Sequence, residues 1–429
     1  MLRLHDVAVR SVYEFVHVPG YRKLYSNERT VTTDGGMHMS VNTVKRQWLL
    51  WGAVLLFMPA SVFANPSNLE YPYIYKSTRA MGMGGAYTAV GGRNDTLFYN
   101  PAGLINIPRD KSWEVDLLNL SLEYGKYTAP FIRDMQHALE LPSGSDSSGN
   151  DEQLQAVNDV LAKYRGENIH LRVADFTAIG HRSDRWAFSV GGIGSGRVDM
   201  VPHQGFGSDG LLEVNGDAYY GGIGGVSVGI TDNLFAGLSV KALHRDTLNH
   251  VFTAREIVEN QDDLRDYIEK NLQKSGEATG FDAGVIWKFA PASALKPSFG
   301  ASVLNIGGLN FGPAGSLPES VNVGFAINPS LSWARSLTVA ADYIDVTYEF
   351  KQDRDMAKRL RYGAELQLFD IWAAEFALRA GMYNNSPTFG VDLKLLILTL
   401  SYAMYTEELG AYAGQQKDQR QLITLDIGW

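Results

Sequence analysis

The 429-residue chain contains no cysteine. This excludes disulfides, thiolate metal sites and cysteine nucleophiles, and it suits an oxidising compartment where a stray thiol is a liability. Basic excess is missing too, with 38 Lys and Arg against 47 Asp and Glu. Nucleic acid, which is held through basic patches, is therefore not an expected partner. Mean hydropathy is −0.14. That is too low for a bundle of membrane helices, but not for a barrel in which only every second strand residue meets lipid. Catalytic and metal motifs are sparse as well. His137, His170, His181, His203, His244 and His250 are scattered without ligand spacing, so no metal and no cofactor are expected. A barrel lipase would need a Ser–His pair near the rim. His203 and His244 are the candidates, but nothing fixes a nucleophile, and the chain reads as a non-enzyme. Gly192-Ile193-Gly194-Ser195-Gly196 lacks the spacing and strand-to-helix context of a phosphate loop and reads as glycine in a strand.

What the chain does have is alternation. Strand-like segments lie near 112–124, 169–180, 184–194, 212–229, 233–246, 277–290, 296–305, 319–328, 335–349, 358–369, 371–383, 387–395, 397–406 and 420–429. Phe281, Ala283, Val285 and Trp287 oppose Asp282, Gly284 and Lys288. Tyr362, Ala364, Leu366 and Leu368 oppose Arg361, Gly363, Glu365 and Gln367. Ile423, Leu425, Ile427 and Trp429 oppose Leu422, Thr424 and Asp426. One face is greasy and the other carries charges of both signs, as a lipid-facing wall around a wet or ion-paired lumen requires. The gaps alternate short and long, with long ones at 125–168, 195–211, 247–276, 306–318, 350–357 and 407–419. The expected fold is all-β: a transmembrane antiparallel barrel of about 14 strands, residues 111–429, with helical insertions in outer loops. Helices are expected at 131–141, 151–164 and within 251–274. In the segment at 112–124 the apolar phase slips around Leu117-Leu118, which suggests a bulge.

Ahead of the strands runs Arg79-Ala-Met-Gly-Met-Gly-Gly-Ala-Tyr-Thr-Ala-Val90, followed by Leu97-Phe-Tyr-Asn-Pro-Ala-Gly-Leu104. Gly82, Gly84, Gly85, Gly91 and Gly92 leave few side chains to hold backbones apart, which suits a segment pressed against a surrounding wall. Pro101 fixes its own φ and pushes Asn100 to an extended conformation, and Gly103 is free to take positive φ. The alternative is a surface turn joining two strands of a soluble sandwich. These residues resemble the N-terminal signature of the FadL / PorV superfamily of outer-membrane proteins. The resemblance implies an N-terminal plug, or hatch, over 65–110, whose motif residues are Gly82, Gly84, Gly85, Asn100, Pro101, Ala102 and Gly103. Gly91-Gly92-Arg93-Asn94-Asp95 stands where the family more often has an Ala-Asp-Asp run.

Val44-Lys45-Arg46-Gln47 followed by the apolar run Trp48–Met58 reads as a signal peptide over 37–64, cleaved between Ala64 and Asn65. Residues 1–36 would then be an untranslated or disordered extension, with synthesis beginning at Met37 or Met39. The terminal Trp429 is the kind of residue that outer-membrane insertion machinery reads. The expected location is the outer membrane of a Gram-negative bacterium, among its lipid and lipopolysaccharide, with both termini periplasmic. The lumen charges Asp282, Asp342, Glu365, Glu375, Arg379, Asp392 and Lys394 would either line a permeation path or hold the plug. By resemblance the function is passage of hydrophobic or amphipathic small molecules of fatty-acid or hydrocarbon type. The alternative is a non-transporting barrel that binds a protein, as in PorV-like shuttles or TraF-like components. A transporter should have an apolar compartment beside the plug, whereas an interaction protein should have a lumen filled by side chains.

Overall fold

The computed structural model describes residues 70–108, 112–141, 147–204, 210–260, 264–351, 354–371 and 373–429. The expected signal peptide, the Ala64–Asn65 cleavage site and residues 1–36 lie outside the described residues. Fourteen strands close into one antiparallel barrel: β1 (Trp113–Gly125), β2 (Ile169–Arg182), β3 (Trp186–Gln204), β4 (Gly210–Gly229), β5 (Leu234–Thr253), β6 (Lys274–Trp287), β7 (Ser298–Leu304), β8 (Ser320–Ile327), β9 (Ser336–Tyr343), β10 (Leu360–Ile371), β11 (Ala374–Tyr383), β12 (Ser386–Leu395), β13 (Leu398–Glu408) and β14 (Lys417–Gly428). Each pairs with its sequence neighbour, and β1 pairs with β14 to close the ring. Trp429 completes the seam by exchanging both backbone hydrogen bonds with Val115 at 3.0 Å. Closure leaves no unpaired sheet edge, which is what lets a sheet stand in lipid.

The two faces separate as the alternation requires. Asp282 and Asp392 are fully buried, whereas Phe281 and Leu393 on the same strands point outward and are exposed. Leu238, Val240, Val190, Val226, Leu400 and Leu425 continue this outer apolar face, far more than a soluble surface carries. Trp113, Trp186, Trp287, Phe289, Phe369 and Trp429 are exposed around the end where the turns are short. Such an aromatic girdle belongs at a membrane–water interface. The expected bulge in β1 is present. Pairing with β14 shifts between Asp116 and Leu118, and pairing with β2 shifts between Asp116 and Leu120.

The wall is uneven. Strands β3, β4 and β5 run 19, 20 and 20 residues, whereas β7, β8 and β9 run 7, 8 and 8. Two gaps read as loops are therefore partly strand. Residues 195–204 extend β3, and 247–253 extend β5, each in register with β4. The extensions interrupt their apolar residues with polar ones, for example Asp199, Asn249 and His250, so the alternation is weaker there than lower in the wall. Above the tall flank lie α1 (Thr128–Leu139), α2 (Ser147–Lys163), α3 (Ala254–Glu259) and α4 (Leu264–Asn271). Phe131, Val157, Leu161, Val198, Leu212, Phe252 and Ile257 join them to the strand ends in one apolar cluster. Thr253 and Glu256 form a reciprocal capping box where β5 turns into α3.

Candidate functional site

Residues 70–108 run among the inward-facing residues of the wall. A single helical turn, Thr78–Gly82, starts on Ser77, whose side chain accepts from Ala80 N. Two 3₁₀ turns follow, Asn94–Phe98 and Pro101–Asn106. Asn100 is extended (φ −160°), as Pro101 demands. Its Oδ1 accepts from Ala102 N at 3.0 Å, and its Nδ2 donates to Thr88 O at 2.8 Å and to Val285 O of the wall at 3.1 Å. Gly103 differs from expectation: it is not among the positive-φ residues. It is needed for space, since a Cβ there would lie 2.7 Å from Thr96 Cγ2 and 3.0 Å from Gly91 Cα.

The close approach is reciprocal, which the sequence reading missed. A Cβ on Gly84 would sit 2.5 Å from Met382 O. On the wall, Gly381 lies against Gly84 N, Gly390 against Gly82 Cα and Gly300 against Ala89, each at under 3 Å from a built Cβ. Gly237 and Gly284 likewise face Ala102 and Asn100. Glycines at inward positions of otherwise ordinary strands were the available signal.

Charge fills one side of the lumen. Arg79 holds Glu365 through Nε at 2.8 Å and Nη2 at 2.7 Å. Arg379 bridges Glu365 at 2.6 Å and Asp392 at 2.6 and 2.7 Å. Arg93 reaches Glu375 and Asp392, both at 3.2 Å. Asp342 accepts from the backbone N–H groups of Tyr87 and Thr88, both at 2.7 Å. Five of the seven predicted lumen charges thus touch the inner segment or its partners. The other two stand apart: Asp282 pairs with Lys241 at 2.7 Å within the wall, and Lys394 lines a cavity at the short-turn end. That cavity, of about 540 Å³, has a mixed lining, with Arg93, Glu114, Asp116 and Lys394 beside Val90, Ile107 and Phe176.

A second ionic cluster went unread in the sequence. Lys76 bonds Glu70 at 2.7 Å and Glu407 at 2.9 Å. Arg420 bonds Glu70 at 2.9 Å and Asp418 at 2.8 Å, and His170 sits between Glu123 (2.9 Å) and Asp199 (2.7 Å). Glu70, His170 and Asp199 could present three donors to a metal. Lys76, Arg197 and Arg420 already neutralise those carboxylates, however, so a cation fits poorly. His203 pairs with Glu213, and His244 with Asp246 and Glu277. Among the described contacts neither meets a serine.

The opposite side of the lumen carries a large apolar cluster. Ile74, Tyr75, Leu97, Leu104, Ile105 and Ile107 of the inner segment pack on Phe176, Ile193, Ile223, Phe235 and Leu243 of β2 to β5. A further piece completes this cluster. Residues 306–318, read as an outer loop, instead fold inward as a short hairpin of Leu309–Asn310 and Ser316–Leu317, burying Leu309, Phe311 and Leu317. Three apolar residues dispersed among glycines give no periodic signal, so nothing in the sequence set them apart from a solvated loop.

No family model and no curated protein matches the chain. Solved structures do. The deltaS2S3 mutant of the monoaromatic hydrocarbon channel TodX aligns with TM-score 0.50 at 11% identity, over 82% of this chain and 98% of that one. The Ralstonia pickettii toluene transporter TbuX aligns at 0.48 and 12%, over 83% and 98%. A Pseudomonas aeruginosa FadL homologue aligns at 0.36 and 10%, over 84% and 99%. At this identity the likeness is one of fold: the chain is similar to the monoaromatic hydrocarbon channel in its closed fourteen-strand barrel.

Proposed function

We propose that this protein lies in the outer membrane of a Gram-negative bacterium, with both termini periplasmic, and admits hydrophobic or amphipathic small molecules. The observation that carries this reading is the buried apolar cluster in the lumen, where residues 74–107 pack against β2 to β5 inside a barrel with an apolar outer belt. Lipopolysaccharide blocks apolar solutes, so a protein must shield them during entry. The cavity at the short-turn end would be the periplasmic vestibule. In this reading residues 70–108 act as a hatch, the plug-motif glycines let it lie flush, and Asn100-Pro101 is its fixed point. Arg79, Arg93, Glu365, Glu375, Arg379, Asp392 and Asp342 would hold the hatch and set the threshold for its movement. Hydrocarbon is the substrate class favoured, because the fold neighbour is a monoaromatic hydrocarbon channel. The test is uptake of labelled toluene, hexadecane and oleate by deletion and complemented strains. Equal rates for all three would refute the proposal.

One observation favours a second reading. The hatch and the inward hairpin fill the lumen with side chains, as expected of a barrel that binds a protein partner instead of conducting. The helical cap would then be the docking element. A stoichiometric partner recovered after in vivo crosslinking, with uptake unchanged in the deletion strain, would select this reading.

A further inference from the structure

The inward hairpin between β7 and β8 differs from the rest of the lumen filling in how it is held. Every hydrogen bond described for residues 307–317 stays within residues 305–319. Phe311 N donates to Gly315 O, Gly308 N to Asn305 O, Gly312 N to Asn310 Oδ1 and Gly307 N to the Glu319 carboxylate. Toward the wall it offers only apolar and ring contacts. The Phe311 ring stands edge-on to Tyr219, with centroids 6.1 Å apart. The Arg245 guanidinium lies 5.8 Å from the Phe311 ring centre and 5.3 Å from that of Tyr219, and is itself held by Asp217 at 2.8 and 3.0 Å. On β6, Gly276 and Gly280 leave the room that the Phe311 backbone and the Leu309 side chain occupy. The hairpin hangs on Gly307 and Gly308, both at φ +77°. In this region glycine carries no steric penalty, so the stem can change course cheaply.

Rigid by itself and, beyond the bond from Ile306 N to Phe281 O at its base, joined to the wall without hydrogen bonds, the part from Gly307 to Leu317 can leave as a unit without stranding buried polar groups. What it vacates is an apolar space with an aromatic edge on one side and a cation on another. We infer that this space, lined by Tyr219, Ile223, Leu243 and Arg245, is a binding site for a compact aromatic hydrocarbon. Phe311 occupies it as a built-in ligand that the solute displaces. The Phe side chain is a benzyl group, so a toluene molecule reproduces its ring, its edge contact with Tyr219 and its face toward Arg245. The inference rests on the proposed passage of hydrophobic molecules and adds the place where the solute is held and the side chain it displaces.

The cysteine-free sequence makes the test direct. Ala314→Cys, at a position 2% exposed in the hairpin turn, introduces a single thiol. The protein is reconstituted in lipid nanodiscs, and the rate of modification by a charged maleimide is measured with and without saturating toluene. If toluene displaces the hairpin, modification accelerates by about tenfold or more, because the ligand shifts the open fraction. Cyclohexanol, which lacks a ring face, accelerates it less. Phe311→Ala in the same background raises the toluene-free rate and abolishes the toluene response. A rate indifferent to toluene in Ala314→Cys, and again in Leu309→Cys should the first fail to fold, overturns the inference. Uptake of toluene by cells, measured in parallel, separates the two proposals. Uptake with no labelling response sinks this site alone, whereas labelling response without uptake retains the site and sinks passage.

Discussion

The two sides of the lumen hold the same inner segment by opposite means. On the side of β10 to β14 the contacts are ionic and directional, with Arg379 fully buried between Glu365 and Asp392. On the side of β2 to β5 the main contact is apolar, with Leu104, Ile105 and Phe176 fully or nearly fully buried, and polar ties such as Ser227 to Ala102 O and Arg197 to Glu70 stand around it. The difference teaches where the segment is specified and where it is free to yield. A buried ion pair contributes little net stability but is costly to break from one side, because the remaining charge has no solvent. Apolar packing tolerates a substitute of similar shape. The ionic side therefore fixes position, and the apolar side is where a greasy solute replaces protein atoms most cheaply.

This contrast can be broken most severely at Arg379. Arg379→Met leaves Glu365 to Arg79 and Asp392 to Arg93 alone, and is expected to cost about 3–5 kcal/mol, read as a fall in the urea midpoint of the detergent-folded barrel. Restoring neutrality with Asp392→Leu in the same protein should recover a good part of that loss. A double variant no more stable than the single one would show that packing, not charge, dominates there.

On the apolar side Leu104→Ala should cost about 2–5 kcal/mol through the lost burial and the cavity it leaves. Unlike the ionic variant, it should be partly rescued by toluene, measured as a midpoint shift. Gly237→Ala sharpens the comparison at the boundary. Its methyl would meet the backbone of Ala102, at an expected cost of about 1–3 kcal/mol. The inner segment should become more sensitive to protease while the strands stay resistant.

The smallest effect lies outside the membrane wall, in the cap. Lys163 Nζ donates to the Asp134 carboxylate at 2.5 Å, and the Tyr164 hydroxyl donates to it at 2.7 Å. These two hydrogen bonds, that of Lys163 first, hold the Asp134 carboxyl down at about 2. A carboxylate depressed in the folded state stabilises above its unfolded value near 4, and that stabilisation is lost as pH falls toward 2. Pepsin cleavage between α1 and α2 should therefore increase between pH 4 and 2 in the parent, and Asp134→Asn should show high cleavage across the whole range. An acid step retained in the variant would place the trigger elsewhere.

The wall was legible because lipid imposes a rule on every second residue. Phe281, Leu393 and Leu425 announce their face by type alone, and the slip at Leu117-Leu118 announces the bulge. What lay beyond lipid was harder to see. The upper parts of β3 and β5 meet water on one face and charge or cap on the other, so Asp199 and His250 read as loop. The pair Lys76–Glu407 joins residues 331 apart in sequence, and no local pattern links them. The glycines at 237, 284, 300, 381 and 390 were visible, but their meaning depends on which backbone passes in front of each. The inward hairpin carried no period of either kind, and only burial reveals that Phe311 belongs to the interior.

The uneven wall has a directional consequence. At about 3.3 Å per residue, the difference between 20 and 8 residues is about 40 Å of strand length, so the mouth is slanted, high on one flank and low on the other. A molecule dissolved among neighbouring acyl chains meets a parapet at β3 to β5 but only a sill at β7 to β9. The hairpin, rooted at the end of β7, reaches from that sill across to β4, β5 and β6 of the taller flank.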